Sequence, residues 1–238
     1  MSDAGSVSVA EAIRSRHSVR AFRPDPIPRE TVTSLLALAA RAPSGNNTQP
    51  WKVYVIEGRA KAALTAEVLH WREHEPRPPR EYHYSPSPLP EPYRARSRQN
   101  GIALYRLLGI ARGDEAAHHA QQRRNYAFFG APLGLFVFVD RDLERGSWLD
   151  CGMFLQSLML AARGHGLHTC PQACWASFHA VVRRHVGARA SELLLCGVSL
   201  GYADETDPVN SLAVPRAPLE EFVRWVGGAS ERGEEEGE

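Results

Sequence analysis

The segment "RHSVRAF", residues 16–22, sets two arginines around a hydroxyl. In an extended chain Arg16, Ser18 and Arg20 share one face, because side chains alternate. Two guanidiniums flanking a hydroxyl make a phosphate grip, since arginine donates in pairs to phosphate oxygens. A plain solvated edge fits the same spacing, because this chain is rich in arginine: only Lys52 and Lys61 among its 28 basic residues are lysines. Arg216, in "PVNSLAVPRAPLEEF", is either another anion contact or a surface charge. A second cluster, "HGLHTCPQAC", brings His165, His168, Cys170 and Cys174 within ten residues. Their spacing matches no usual structural zinc site and Pro171 stiffens the middle, so no metal is expected. H-E-x-x-H is missing, and the one G-x-S-x-G, Gly197 to Gly201, falls inside the expected core strand 191–203 rather than at an exposed strand-to-helix turn. An enzyme with no acid, base or metal of its own borrows its chemistry from a cofactor.

A third stretch, "APSGNNTQPWKVYVI" at 42–56, puts a cluster of small hydrogen-bonding residues and a Trp directly before a core strand. "KVYVI" alternates and is β-branched and aromatic, hence a strand over 52–57. Further core strands are expected over 132–141 and 191–203. Ser8 and Glu11 form a capping box for a short first helix. Helices are expected from Pro28 to before Pro43, over 61–71, over 100–112 and over 114–128. "SWLDCGMFLQSLMLAARGHG" is apolar almost all round, which predicts a central helix ended by Gly164 and Gly166. Between these elements, residues 75–98 are crowded with prolines and carry three tyrosines. They are expected to form neither helix nor central strand, but a functional flap. "PLEEFVRWV", 218–226, is amphipathic, and 229–238 reads as a disordered acidic tail. The sum is one mixed α+β domain with no repeat and no Rossmann fingerprint.

The whole-chain numbers exclude several function classes. The 238 residues are 43% hydrophobic and 23% charged, with formal net charge +1. Those are the values of a globular protein with no field to recruit nucleic acid or membrane. Four cysteines make no disulfide framework, and the N-terminus has no apolar signal sequence. The longest apolar run, Trp148 to Ala162, is too short to span a bilayer. A cytoplasmic protein is expected.

Taken together, "AIRSRHSVRAF", "APSGNNTQPWKVYVI", "FFGAPLGLFVFVDR", "WLDCGMFLQSLMLAARGHGLHTCPQACWA" and "LLLCGVSLGYADETDPVNSLAVPRAPLEEFV" resemble the FMN-dependent nitroreductase family. "GSWLDCGMFLQ", "TCPQACWA" and the proline-rich insert look most like its nitrobenzoate-reductase-type branch. The resemblance implies a mainly antiparallel sheet flanked by helices, a single FMN-binding domain over 1–228, and an intertwined homodimer with two flavins at its interface. It implies that Arg16, Ser18 and Arg216 hold the FMN phosphate and that Arg20 sits by the pyrimidine edge of the ring. Pro43, Ser44, Gly45 and Asn47 would come from the second subunit and cup the isoalloxazine, with Gln49 and Trp51 anchoring that turn in the core. Pro171, Gln172 and Ala173 would contact the flavin near N5. Two departures stand out. Gln172 and Ala173 replace an acidic residue followed by Gly, and Val214 replaces a second basic residue before the phosphate Arg. The implied reaction passes hydride from NAD(P)H through flavin N5 to nitroaromatic or similar flat acceptors, by ping-pong kinetics. Tyr93, Phe128 and Phe129 are candidate walls of the acceptor channel. Reduction of activated alkenes, quinones or halogenated aromatics, and flavin binding without efficient turnover, remain open.

Overall fold

Four antiparallel strands form one sheet in the order β1-β2-β4-β3: β1 Lys52–Glu57, β2 Leu133–Asp140, β3 His168–Gln172 and β4 Glu192–Gly201. They belong to a computed structural model that describes residues 7–76 and 78–226. The register sets Tyr54 against Phe136, Leu135 against Val198 and Cys170 against Ser199. β3 is a strand that was not among the three expected from the sequence. It is short and contains Pro171, which a central strand would exclude. An edge position makes the proline tolerable. Thr169 turns its carbonyl outward to Val19 N–H at 3.1 Å. By alternation Pro171, two residues on, also presents its peptide nitrogen outward, where β4 needs no donor.

Both faces of the sheet are covered, which is why β2 and β4 are buried along nearly their whole length. On one face Leu133, Leu135 and Val137 meet α2 (Arg29–Ala39) and α6 (Arg145–Gly164) through Leu35, Phe154 and Leu158. On the other, Phe136 and Phe138 meet α3 (Gly58–His74) and α7 (His179–Val186) through Leu64, Val68 and Val182. The short α1 (Val9–Ser15) packs beside α6, and its N-terminus is capped by Ser8 Oγ, which accepts from Glu11 N–H at 3.2 Å. Pro28 is the residue before α2 rather than its first. α6 buries only the stripe Asp150, Cys151, Phe154, Leu158 and Ala162. The expectation of an all-round buried helix is corrected: Leu149 on its outer side is 68% exposed.

The second face is built around a flat aromatic stack. Trp175 and Phe128 are stacked with centroids 4.7 Å apart and planes inclined by 30°, and Phe136 meets Trp175 edge-on at 5.2 Å. They approach the sheet so closely that a Cβ on Gly197 would stand 2.4 Å from Trp175 Cδ1, and one on Gly134 2.3 Å from Phe128 Cε1. Phe128 and Phe129 reach this packing with φ of +53° each, left-handed values that cost a non-glycine residue about 1 kcal/mol or more. These two phenylalanines are therefore core side chains, buried to within 3% of their surface, and not walls of a channel.

The proline-rich segment is docked rather than loose. Glu81 accepts from Arg141 Nη2 at 2.7 Å and Arg183 Nη2 at 3.0 Å, and the Tyr82 hydroxyl donates to the Leu195 carbonyl. Irregular chain ends earlier than expected. Pro92 is the last proline and caps α4 (Tyr93–Leu107), so residues 93–98 are helical. α4 then stops at Leu107, and Gly109 with φ +67° turns the chain, so 108–112 are not helical. α5 (Glu115–Tyr126) starts at Asp114, whose carboxylate accepts from Ala117 N–H at 3.0 Å. The segment 218–226 makes one 3-10 turn, Leu219–Glu221, and no longer helix. The proposed tail at 229–238 lies outside the described residues.

Two outcomes follow from this packing. Gly197→Ala should cost about 1–3 kcal/mol, because Trp175 is rigid and has no room to yield. A urea titration showing no shift of midpoint would contradict the stack's role. Burial opposes charge on Glu81, but Arg141, Arg183 and His179 outweigh it and hold its carboxyl below the usual value. A carboxyl lowered in this way stabilises the fold above the unfolded pKa of about 4.3 and loses that contribution as pH falls through its folded value. Glu81→Gln should therefore destabilise by about 1–2 kcal/mol at pH 7, and the difference from wild type should shrink below pH 4. Melting curves across pH 3–8 check both parts.

Candidate functional site

α1 gives way to extended chain at Arg16, with φ −65° and ψ 120°. Beyond it Val19 and Ala21 point into the core. Alternation then turns Arg16, Ser18 and Arg20 the other way, and all three line one cleft of about 560 Å³. Arg216 and Arg14 line the same cleft. Its two walls come from opposite ends of the chain, and Asn210 latches them. Asn210 Oδ1 accepts from Arg20 N–H at 2.8 Å, while its Nδ2 donates to the carbonyls of Ala21 and Asp204, each at 2.8 Å. Arg216 is steadied by Nη1 donating to the Val214 carbonyl at 2.7 Å.

The cleft is an electrostatic imbalance. Among the described residues no carboxylate forms an ion pair with Arg14, Arg16, Arg20 or Arg216. Burial, and then the charge of Arg216, holds the Arg16 guanidinium below its ordinary pKa. Guanidiniums stay charged in proteins, so the repulsion persists until an anion enters. A donor set of arginines and a hydroxyl fits a phosphate group. Arg14 supplies a charge at this cleft where Val214 supplies none.

The turn at 43–47 is elsewhere on the chain surface and contributes no wall to the arginine cleft. Gly45–Asn47 forms a 3-10 turn with Asn46 and Asn47 at φ +49° and +58°, values that asparagine tolerates best after glycine. Asp150 on α6 holds it: Gly45 N–H lies 3.3 Å from each carboxylate oxygen. Trp51 anchors the following strand by stacking on Phe154 at 5.0 Å. Gln49 does not anchor in the core as expected. It is exposed, and it closes the turn by donating to Ser44 Oγ from its backbone (3.0 Å) and to the Asn47 carbonyl from its side chain (3.1 Å).

At the end of β3 the side chain of Gln172 is buried and fully engaged. Its Oε1 accepts from Ser199 Oγ at 2.8 Å and its Nε2 donates to the Asn125 carbonyl. The amide therefore fixes the strand end from beneath and places no charge there. The neighbouring His and Cys side chains part company. His168 Nε2 lies 2.6 Å from Arg163 Nη1, and burial, Arg163 and His17 push its pKa down to about 4. Cys170 and Cys174 pack into the core, where burial pushes their thiols up to about 11 and about 12. Tyr93 is exposed at the start of α4.

Three residues escaped the sequence reading. Arg14 stands two residues before Arg16 but lies in the last turn of α1, where strand alternation does not apply, and Asn210 joins the cleft only through folding. Asp150 did give a signal: it is a carboxylate inside an apolar helical run, and buried carboxylates need a reason.

The model of the nitroreductase family matches residues 13–202. The chain is 42% identical to a 4-nitrobenzoate reductase of Nocardioides sp. (strain LMS-CY), over 90% of this chain and 88% of that one. It is 39% identical to a nitrobenzene nitroreductase of Ectopseudomonas oleovorans, over 92% and 96% of the two chains. A crystal structure of the FMN and NADPH-dependent nitroreductase NfnB from sphigopyxis sp. strain HMH superposes with a TM-score of 0.88 at 41% identity, covering 93% of this chain and all of that one. The antiparallel sheet, the helices on its two faces and the matched core agree, and the chain belongs to the nitroreductase family.

Proposed function

We propose that this protein is an FMN-dependent oxidoreductase that carries electrons from NAD(P)H to nitroaromatic or similar flat, electron-poor acceptors. The observation that carries this reading is the unpaired arginine cleft around Ser18, on a chain of this family. The names of its relatives supply the acceptor class. Arg16, Ser18 and Arg216 hold the single phosphate of FMN, and Arg14 adds charge to that grip. Arg20 lies beyond them along the same extended segment, where its charge favours extra electron density on the ring's pyrimidine edge. Pro171, Gln172 and Ala173 offer backbone at the N5 side, kept in place by the buried Gln172 amide. When bound, FMN supplies acceptance and return of two electrons at N5. The protein's own work is orientation and electrostatics, and donor and acceptor take turns over one exposed face. That sharing gives ping-pong kinetics.

The site needs a second copy of the chain. Pro43, Ser44, Gly45 and Asn47 do not reach the arginine cleft of their own chain, so the partner's turn closes the ring site in a homodimer. α1, α2 and α6 pack side by side and leave Val9, Ile13, Leu38 and Leu149 exposed on their outer sides. Apolar side chains so placed suit an obligate interface, on the order of 2,000 Å² or more. Phe222 and Trp225, the latter 91% exposed, suit an arm that reaches across. No helix among the described residues is long and apolar enough to cross a membrane. Residues 1–228 act as one domain in this reading.

The purified protein should be yellow and release FMN rather than FAD. Arg216→Ala should raise the FMN dissociation constant at least tenfold, read by flavin fluorescence, with an unchanged circular dichroism spectrum. A colourless protein that refuses added FMN would refute the reading. Anaerobic reduction by NADH or NADPH, then reoxidation by nitrobenzene, separates an enzyme from a flavin carrier without turnover. Sedimentation should show a dimer, and Leu149→Asp should release monomers that lose FMN; a flavin-loaded monomer would rule out the shared site.

A further inference from the structure

Asp150 is a charged group that neither the arginine cleft nor the strand-end network uses. It lies on the buried stripe of α6 with Cys151, Phe154 and Leu158, and only 6% of its surface is exposed. A carboxylate there is costly, because burial strips its hydration and an apolar residue of similar size would pack as well. No cation pairs with it among the described residues. What meets it is a backbone N–H 105 residues away in the chain: Gly45 N lies 3.3 Å from Oδ1 and from Oδ2. The turn that Gly45 opens is strained. Asn46, Asn47 and Gln49 carry φ of +49°, +58° and +50°, and such a run persists only where the surroundings over-determine it. Its internal bonds are local: Asn47 N–H donates to the Ser44 carbonyl, Thr48 N–H to the Gly45 carbonyl and Gln49 N–H to Ser44 Oγ. They shape the turn without fixing where it stands. Two residues of α6 fix that. Asp150 holds the head of the turn at Gly45, and Phe154, one helical turn on along the same face, stacks on Trp51 at its tail.

We propose that Asp150 is a positioning residue for the partner's flavin site: from α6 of its own chain it fixes the Ser44–Asn47 turn that cups the ring held by the other subunit's arginines. The proposal rests on the flavin and dimer readings above and adds to them a residue that touches neither cofactor nor acceptor. It carries two signatures that a general loss of stability does not. The turn meets the ring, so losing Asp150 weakens every flavin alike, whereas the arginine cleft meets the phosphate, so losing Arg216 weakens FMN alone. Asp150 and Arg216 also serve one flavin from different chains. Their defects therefore fall on the same site only when they are carried by different subunits.

The test measures flavin binding to the full chain. Asp150→Ala should raise the dissociation constants of FMN and riboflavin by the same factor, at least tenfold. Asp150→Asn keeps an acceptor for Gly45 N–H and should stay within threefold of wild type. Gly45→Pro removes the donor at the other end of the bond, at the first position of the turn, where proline fits. Its effect should not add to that of Asp150→Ala. The decisive arm is complementation. Chains carrying Asp150→Ala and Arg216→Ala are coexpressed under two affinity tags, and the mixed dimer is isolated. One of its sites then holds both defects and the other holds none, so it should bind one FMN with wild-type affinity while neither parent dimer does. A mixed dimer with no tight site would overturn the proposal, because both residues would then serve the flavin of a single chain. An Asp150→Ala protein that binds riboflavin as wild type does would overturn it too. If Asp150→Ala fails to fold, Gly45→Pro takes its place in the mixed dimer with the same two outcomes. A wild-type protein that refuses FMN or sediments as a monomer fails the earlier readings, and the proposal with them, before any variant is made.

Discussion

The stack of Trp175 on Phe128, pressed against backbone at Gly197 and Gly134, is the contact on which the site's geometry depends. Trp175 follows directly on the end of β3 and its turn, and Phe128 opens the turn before β2. Fixing both rings on one face of the sheet fixes two loops at once. One of them is the Pro171–Ala173 segment, whose Gln172 amide is then bonded from below by Ser199 and Asn125. Phe128 and Phe129 both carry left-handed φ values at the turn that delivers the Phe128 ring to the stack. Tight packing of this kind leaves no slack for a misplaced strand end.

Against that rigid base the arginine cleft is the unstable element. Arg16 and Arg216 come from opposite ends of the chain and repel one another. Two backbone-directed devices hold them together, the parallel pairing of the 16–22 segment with β3 and the three hydrogen bonds of Asn210. A structure that spends hydrogen bonds to hold like charges together is preorganised for an anion, because the ligand then meets its partners already in place. The 43–47 turn shows the same economy. Asp150 holds a backbone N–H from within α6, so the exposed asparagines are free to meet something outside the chain.

Much of this was legible in the sequence. The β1, β2 and β4 strands were visible because their apolar residues form continuous or alternating runs. The grip at Arg16, Ser18 and Arg20 was visible because period-two spacing translates directly into one face. β3 was hidden because Pro171 argues against a strand, and only its edge position removes the objection. Phe128 and Phe129 were misplaced because an aromatic pair beside a glycine looks the same whether it lines a channel or fills a core; the glycines that receive it sit far away at 134 and 197. Gln49 was misplaced because an amide between a turn and a tryptophan gives no hint of which neighbour it serves. Residues 93–98 looked irregular because of the prolines before them, although the last one ends at 92 and caps a helix. Asn210 meets Arg20 across 190 residues, and no local pattern encodes such a meeting.

The central claim is that the arginine cleft exists to hold one phosphate. Riboflavin and FMN share the ring and the ribityl chain and differ only in that group. Titrating flavin-free protein with each, at the same ionic strength, isolates it. Charge-assisted hydrogen bonds from several guanidiniums should make FMN bind on the order of 100-fold more tightly, about 2.7 kcal/mol. The advantage should shrink as salt is raised. Equal affinity for the two flavins would contradict the claim.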